Sequence, residues 1–210
     1  MPLYAIGIIR SQDVPLAVAS PADWFIDDKL ACACSEAPQG HFTPMQHAAA
    51  LEMIHRRVSV LPMRFGTVVD DEKELGALLL SRRDEFLDGL GRIDGACEMD
   101  LRIAIPNGAS VPAESCPTDP SPSAYLASRR LLYEGVDAVN RLANQTVEQL
   151  VDQLRDGYRV WRQLPSPSPD IVRLAFLVDR SGVEAFRRRL EQCEQRCVVL
   201  GPWPPYSFVG

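Results

Sequence analysis

Val58-Ser-Val-Leu-Pro-Met-Arg-Phe-Gly-Thr-Val-Val-Asp70 carries the pattern of a buried strand interrupted by a proline, an arginine and a glycine. Pro62 has no backbone N–H and a fixed φ, which suits a sheet edge, a strand start or a bulge. Gly66 allows a backbone that a side chain forbids. Arg64 sets a permanent charge beside Leu61, Met63 and Phe65. The stretch therefore has two readings. It is a bulged core strand whose arginine snorkels outward or pairs with a carboxylate such as Glu98, or it is a recognition surface at a strand end.

Before this stretch, Thr43-Pro44 is a helix start, a hydroxyl cap with proline at the first helical position. That helix runs to about Arg57, with Met45, Ala49 and Met53, or alternatively Leu51 and Ile54, facing inward. After it, Asp70-Asp71-Glu72 puts acid at the N-terminus of a second helix, whose apolar face is Leu75, Leu78, Leu79, Phe86, Leu87 and Leu90, up to Gly91. Ala96 to Ile105 alternates: Cys97, Met99, Leu101, Ile103 and Ile105 on one face, Glu98, Asp100 and Arg102 on the other, as in a half-solvated antiparallel strand. Further upstream, Leu3 to Ile9 is a continuous apolar run, fitting a central strand buried on both faces. Ser11 to Asp23 reads as a loop, Trp24 to Glu36 as extended structure with a second strand over Lys29 to Ser35, and Ala37-Pro-Gln-Gly40 as its end. The order strand, strand, helix, strand, helix, strand is close to a ferredoxin-like α+β sandwich.

Pro106, Pro112, Pro117, Pro120 and Pro122 lie among Ser, Asn, Gly and Thr, the composition of an inter-domain linker. Beyond it the sequence predicts helix over Tyr125 to Asp156, as one piece or broken near Asn144, with a stripe of Val147, Leu150, Val151 and Leu154. Strands follow at Tyr158 to Leu164, Ile171 to Val178 and Cys197 to Leu200, with a helix after Ser181 that turns Val183, Phe186, Leu190 and Cys193 to the core. The expected organisation is a ferredoxin-like first domain over 1–105, a Pro/Ser-rich linker over 106–123, and over 124–210 a second α/β sandwich, a modified ferredoxin-like domain with an extended tail. That tail, Gly201-Pro-Trp-Pro-Pro-Tyr-Ser-Phe-Val-Gly210, cannot be helix and is too rich in proline for a central strand. Its aromatics must find a surface, on their own domain or on a partner, to offset the entropy of ordering it.

The 210 residues are 46% hydrophobic and 24% charged, as in an ordinary globular protein, with Lys29 and Lys73 the only lysines. A net charge of -6 argues against nucleic acid as a partner. The first apolar run is too short to span a lipid membrane, and no basic leader precedes it. Six cysteines without a secretory signal fit a reducing cytoplasm, and neither Cys32/Cys34 nor Cys193/Cys197 has the CxxC spacing of a metal or redox pair. The sequence holds no phosphate-cradling glycine loop, no G-x-S-x-G and no H-E-x-x-H. His47 and His55 lie eight residues apart on one helix, about 12 Å, too far to share a metal ion unaided. A cluster of Arg64, His47 and Glu98 is conceivable only after folding. No catalytic residue, metal or cofactor is therefore expected.

Two motifs, Val-Leu-Pro-Met-Arg-Phe-Gly-Thr-Val-Val at Val60 to Val69 and Gly-Pro-Trp-Pro-Pro-Tyr-Ser-Phe-Val at Gly201 to Val209, resemble the gas vesicle protein F/L family. His47, Gly-Ala-Cys-Glu-Met at Gly95 to Met99, and Ala-Phe-Leu-Val at Ala175 to Val178 agree with it in the same order. The resemblance implies a cytoplasmic accessory or minor structural component of gas vesicles, with a ferredoxin-like first domain. Its implied partners are the small hydrophobic shell protein and other accessory gas vesicle proteins. The interaction or structural residues it implies are Leu61, Pro62, Met63, Arg64, Phe65, Gly66, Trp203, Tyr206 and Phe208. A ligand-sensing ferredoxin-like regulatory protein is the alternative; it would need a pocket lined by polar groups between the domains.

Overall fold

The unbroken apolar character of Leu3–Arg10, strand β1, follows from its place in the middle of a sheet with layers on both faces. A computed structural model of the chain describes residues 1–17, 22–36, 43–105, 122–166, 168 and 170–209. The stretch read as loop after β1 contains a short helix, α1 (Val14–Ala17). Strands β2 (Asp23–Asp27) and β3 (Leu30–Glu36) then form a hairpin where one strand was expected. Its turn places Asp28 at φ 41°, a left-handed position that aspartate tolerates. The strand end expected at Ala37-Pro-Gln-Gly40 lies outside the described residues.

Helix α2 (Pro44–His55) begins as its sequence predicts. Thr43 Oγ1 accepts the Gln46 N–H at 3.2 Å, and the Gln46 side chain accepts the Thr43 N–H at 2.8 Å, a capping box. Its buried face is His47, Ala50, Leu51, Ile54 and His55, so the inward stripe is the one containing Leu51 and Ile54; Met45 and Met53 are exposed. Apolar residues run nearly all round this helix, and periodicity alone does not choose between its faces.

The 58–70 stretch is not one strand. Strands β4 (Leu61–Pro62) and β5 (Val68–Val69) both pair antiparallel with β1, on the side opposite β3, and residues 63–67 bulge out between them. The helix predicted next is two: α3 (Glu72–Ser81), whose N-terminus is capped by Asp71 accepting the Glu74 N–H at 2.9 Å, and α4 (Arg83–Ile93). Arg82, at φ -115° and ψ 20°, breaks the helix and lets Leu75, Leu79, Phe86 and Leu90 reach one core.

Strand β6 (Ala96–Ala104), expected to close the first unit, is instead in the middle of a second sheet. The partners come from the second half of the chain: β7 (Val160–Leu164), β8 (Ile171–Asp179) and β9 (Cys197–Trp203), in the order β7-β8-β6-β9, all antiparallel. The polar face of β6 is only partly solvated: Arg102 is exposed, but Glu98 and Asp100 are buried, Asp100 accepting from Arg173 Nη2 at 2.8 Å. Helix α5 (Pro122–Gln153) is a single piece that starts inside the expected 106–123 linker, whose residues 106–121 lie outside the described residues. Ser181 sits in a 3-10 turn ahead of α6 (Val183–Glu191) and does not cap it.

The fold class is the expected one, mixed α and β with two antiparallel sheets. Among the described residues, three apolar clusters hold it. Helix α2 packs on one face of the first sheet through Leu51, Ile54, Tyr4 and Ile6. Helices α3 and α4 pack between the other face and Ala96, Ala175 and Leu177 of the second sheet. Helices α5 and α6 cover the far face of the second sheet around Phe176 and Phe186. The middle cluster ties the two halves into one interior.

Candidate functional site

The bulge between β4 and β5 is held from below by one chain of hydrogen bonds. The Gly66 N–H donates to Tyr4 Oη at 3.1 Å, the Tyr4 hydroxyl donates to His47 Nδ1 at 3.0 Å, and His47 Nε2–H donates to the Met63 carbonyl at 3.0 Å. Met63 and Gly66 are thus clamped by a neutral imidazole whose pKa burial pushes down. Gly66 itself sits at φ 88°, where a side chain is strained. Phe65 leans edge-on against Tyr4 and His47, with ring centroids 6.1 and 5.8 Å away, and keeps 43% of its surface exposed. Leu61 is buried, Pro62 and Met63 are half-buried, and Arg64 points its charge to solvent with no ion pair to Glu98.

The C-terminal motif is held by a buried carboxylate. At Gly201, φ 115°, the chain passes so close to β6 that a Cβ would lie 2.6 Å from the Glu98 carbonyl oxygen. The expected extended course holds through Trp203 and then closes into a 3-10 turn at Tyr206–Phe208. Glu98 accepts the Ser207 N–H at 2.7 Å and the Ser207 hydroxyl at 2.8 Å. Burial pushes the Glu98 pKa up, and these two bonds oppose the rise. Arg162 donates to the Ser207 carbonyl at 2.8 Å and stacks 5.6 Å above the Phe208 ring. Phe208 is buried in the middle cluster, whereas Trp203 and Tyr206 remain 39% and 42% exposed.

The structure brings the two motifs together. Phe208 shares a cluster with Leu61, with Met63 and Val209 packed against it. Leu61, Pro62, Met63, Arg64 and Val209 also line a common cavity of about 400 Å³. Helix α2 runs between the exposed aromatics: His47 adjoins Phe65, and Glu52, His55 and Arg56 share a second cavity with Trp203. The expected cluster of Arg64, His47 and Glu98 does not assemble, because His47 and Glu98 are each committed to a different motif. The described thiols are held protonated by burial, Cys32 at about 12 and Cys97 at about 11. No group of three His, Cys, Asp or Glu among the described residues is placed to hold a metal ion.

The family model described as gas vesicle synthesis protein GvpL/GvpF matches residues 2–210. The chain belongs to the GvpL/GvpF family. Gas vesicle protein L of a Streptomyces species is 26% identical over 179 residues, covering 78% of this chain and 67% of that one. Gas vesicle protein F of the same organism is 25% identical over the whole of both chains. Crystal structures of GvpF from an Anabaena species and from Microcystis aeruginosa superimpose over this whole chain with TM-scores of 0.76 and 0.74 at 18% and 16% identity. They cover 98% and 99% of the solved chains, so the two-sheet architecture is that of GvpF. Among the described residues no helix is long and apolar enough to cross a membrane.

Within this GvpL/GvpF chain, sequence reasoning missed Tyr4, Ser207 and Arg162 as the groups that hold the two motifs. Tyr4 carried the one available signal: a hydroxyl inside an apolar run buried on both faces has to find a partner. Ser207 and Arg162 carried none, since each acts across more than forty residues of sequence.

Proposed function

We propose that this protein is a cytoplasmic accessory or minor structural component of gas vesicles that acts in their assembly, binding the small hydrophobic shell protein and other gas vesicle proteins. The observation that carries the reading is the convergence of the two motifs: the buried half of each is internal cement, and the other half leaves Phe65, Arg64, Tyr206 and Trp203 at the surface beside α2. Exposed aromatics with an arginine are the side chains that anchor protein interfaces. The outer stripe of α2, Met45, Ala49 and Met53, adds exposed, adaptable apolar surface. An apolar shell subunit held soluble before its addition to a wall needs such a face with a polar rim.

The test is co-expression with the shell protein of the same gene cluster, followed by pull-down on the full chain and on Arg64→Ala. Retention of the shell protein by the full chain and its loss from a folded Arg64→Ala protein is the expected result. A full chain that retains no shell protein removes direct binding, leaving a role through other accessory components.

A further inference from the structure

We infer that the cavity between α2 and the corner formed by β9 and α6 is a binding site for a small organic anion, a carboxylate carried on an apolar body. The cavity encloses about 600 Å³, the size of a small-molecule site, and lies between the two halves of the chain. Its lining includes three arginines, Arg56, Arg180 and Arg187, against two glutamates, Glu52 and Glu184. Glu52 is already engaged by Arg56 at 2.6 Å. The pocket is thus locally positive in a protein whose net charge is -6.

The two inner arginines are held by neutral acceptors only. Arg180 donates through Nη2 to His55 Nδ1 at 3.0 Å and to the Val58 carbonyl at 2.9 Å, and through Nε to the Ala96 carbonyl. Its two Nη1 donors have no protein acceptor among the described residues. Arg187 gives one bond, to the Gly201 carbonyl at 2.8 Å, and its buried Nε has no partner. Neither guanidinium forms an ion pair among the described residues, although burial depresses the pKa of Arg180. A partly buried cation with spare N–H groups is the receptor that a carboxylate fits in a charge-assisted, two-pronged way. Val183, Pro202 and the half-exposed Trp203 add an apolar stretch of wall, with Glu184 also on the lining. The apolar stretch suits the body of the ligand and excludes a bare, fully hydrated ion. The site shares Trp203 with the surface proposed for the shell protein and is otherwise built from different residues.

The test is a titration of benzoate into the full chain, followed by the indole N–H resonance of Trp203, assigned by its absence in Trp203→Phe. Benzyl alcohol, the same ring without the charge, is the control. A saturable shift with benzoate, none with benzyl alcohol, and at least about tenfold weaker benzoate binding by Arg187→Gln are expected from the loss of one charge-assisted bond. Failure of benzoate to saturate by about 10 mM, equal binding of benzyl alcohol, or undiminished binding by a folded Arg187→Gln protein overturns the inference. The benzoate and benzyl alcohol contrast is read on the unaltered chain, so it decides the matter even where Arg187→Gln does not fold.

Discussion

The bulge at 63–67 and the tail at Gly201–Val209 are anchored by opposite kinds of group. A neutral histidine and a tyrosine hydroxyl hold the bulge, whereas a buried carboxylate with two bonds from Ser207, reinforced by Arg162, holds the tail. The bulge is hydrogen-bonded to the first sheet and α2, whereas the tail crosses from the second sheet to bury Phe208 in the middle cluster, where Met63 also packs. Each motif is thus part buried cement and part exposed surface, divided residue by residue. The tail is expected to carry more of the stability. Removing a buried carboxylate's hydrogen-bond partners and a packed ring costs more than loosening a neutral clamp at a sheet edge.

The sharpest way to break this contrast is at Phe208. Phe208→Ala is expected to destabilise the protein by about 3–5 kcal/mol, read as a lower midpoint in urea unfolding. A loss below about 1 kcal/mol would move the tail from the interior to the surface. Gly201→Ala comes next, at about 1–3 kcal/mol in the same assay, because it adds strain at φ 115° to a clash with the Glu98 carbonyl. Tyr4→Phe strips the bulge of two hydrogen bonds and is expected to cost about 1–3 kcal/mol while leaving the tail intact.

A pH scan separates a third anchor, His55 at the Arg180 junction. Burial, with the Arg180 charge beside it, holds the His55 pKa at about 3, well below its usual 6.5. The unfolded chain therefore binds a proton that the native state refuses. Stability from this residue is complete above about pH 6.5 and falls as pH drops toward 3, with a limiting slope of about 1.4 kcal/mol per pH unit. His55→Gln, which keeps an acceptor for Arg180, is expected to flatten the slope over that window; an unchanged slope would mean that other groups set it. The smallest effects belong to the exposed half of the motifs. Phe65→Ser and Tyr206→Ser are each expected to cost about 1 kcal/mol or less, since both rings are only partly covered.

Much of the architecture was legible because local physics fixes it. The apolar run of β1, the Thr43 cap, and the proline and glycine that break the 58–70 strand all act within a few residues. The parts that were not legible depend on layers distant in sequence. Met45, Ala49 and Met53 fit the helical period as well as Leu51 and Ile54 do, and only the position of the sheet decides which stripe is covered. Glu98 and Asp100 alternate like solvent-facing residues, yet the tail and Arg173 cover them. Strand β6 follows α4 directly, yet it pairs with strands from the other half. Of the candidate site, the two motifs were visible in the sequence; their meeting, and the division of each into buried and exposed residues, were not.

One paired measurement distinguishes the proposed binding role of the exposed halves from the holding role of the buried halves. Shell-protein retention in pull-down and thermal midpoint are recorded together for Phe65→Ser/Tyr206→Ser and for Phe208→Leu. The surface pair is expected to keep its midpoint and lose the shell protein, and the core variant to lose midpoint and keep the shell protein at temperatures where it is folded. A surface pair that stays folded and still retains the shell protein would contradict the proposed binding role.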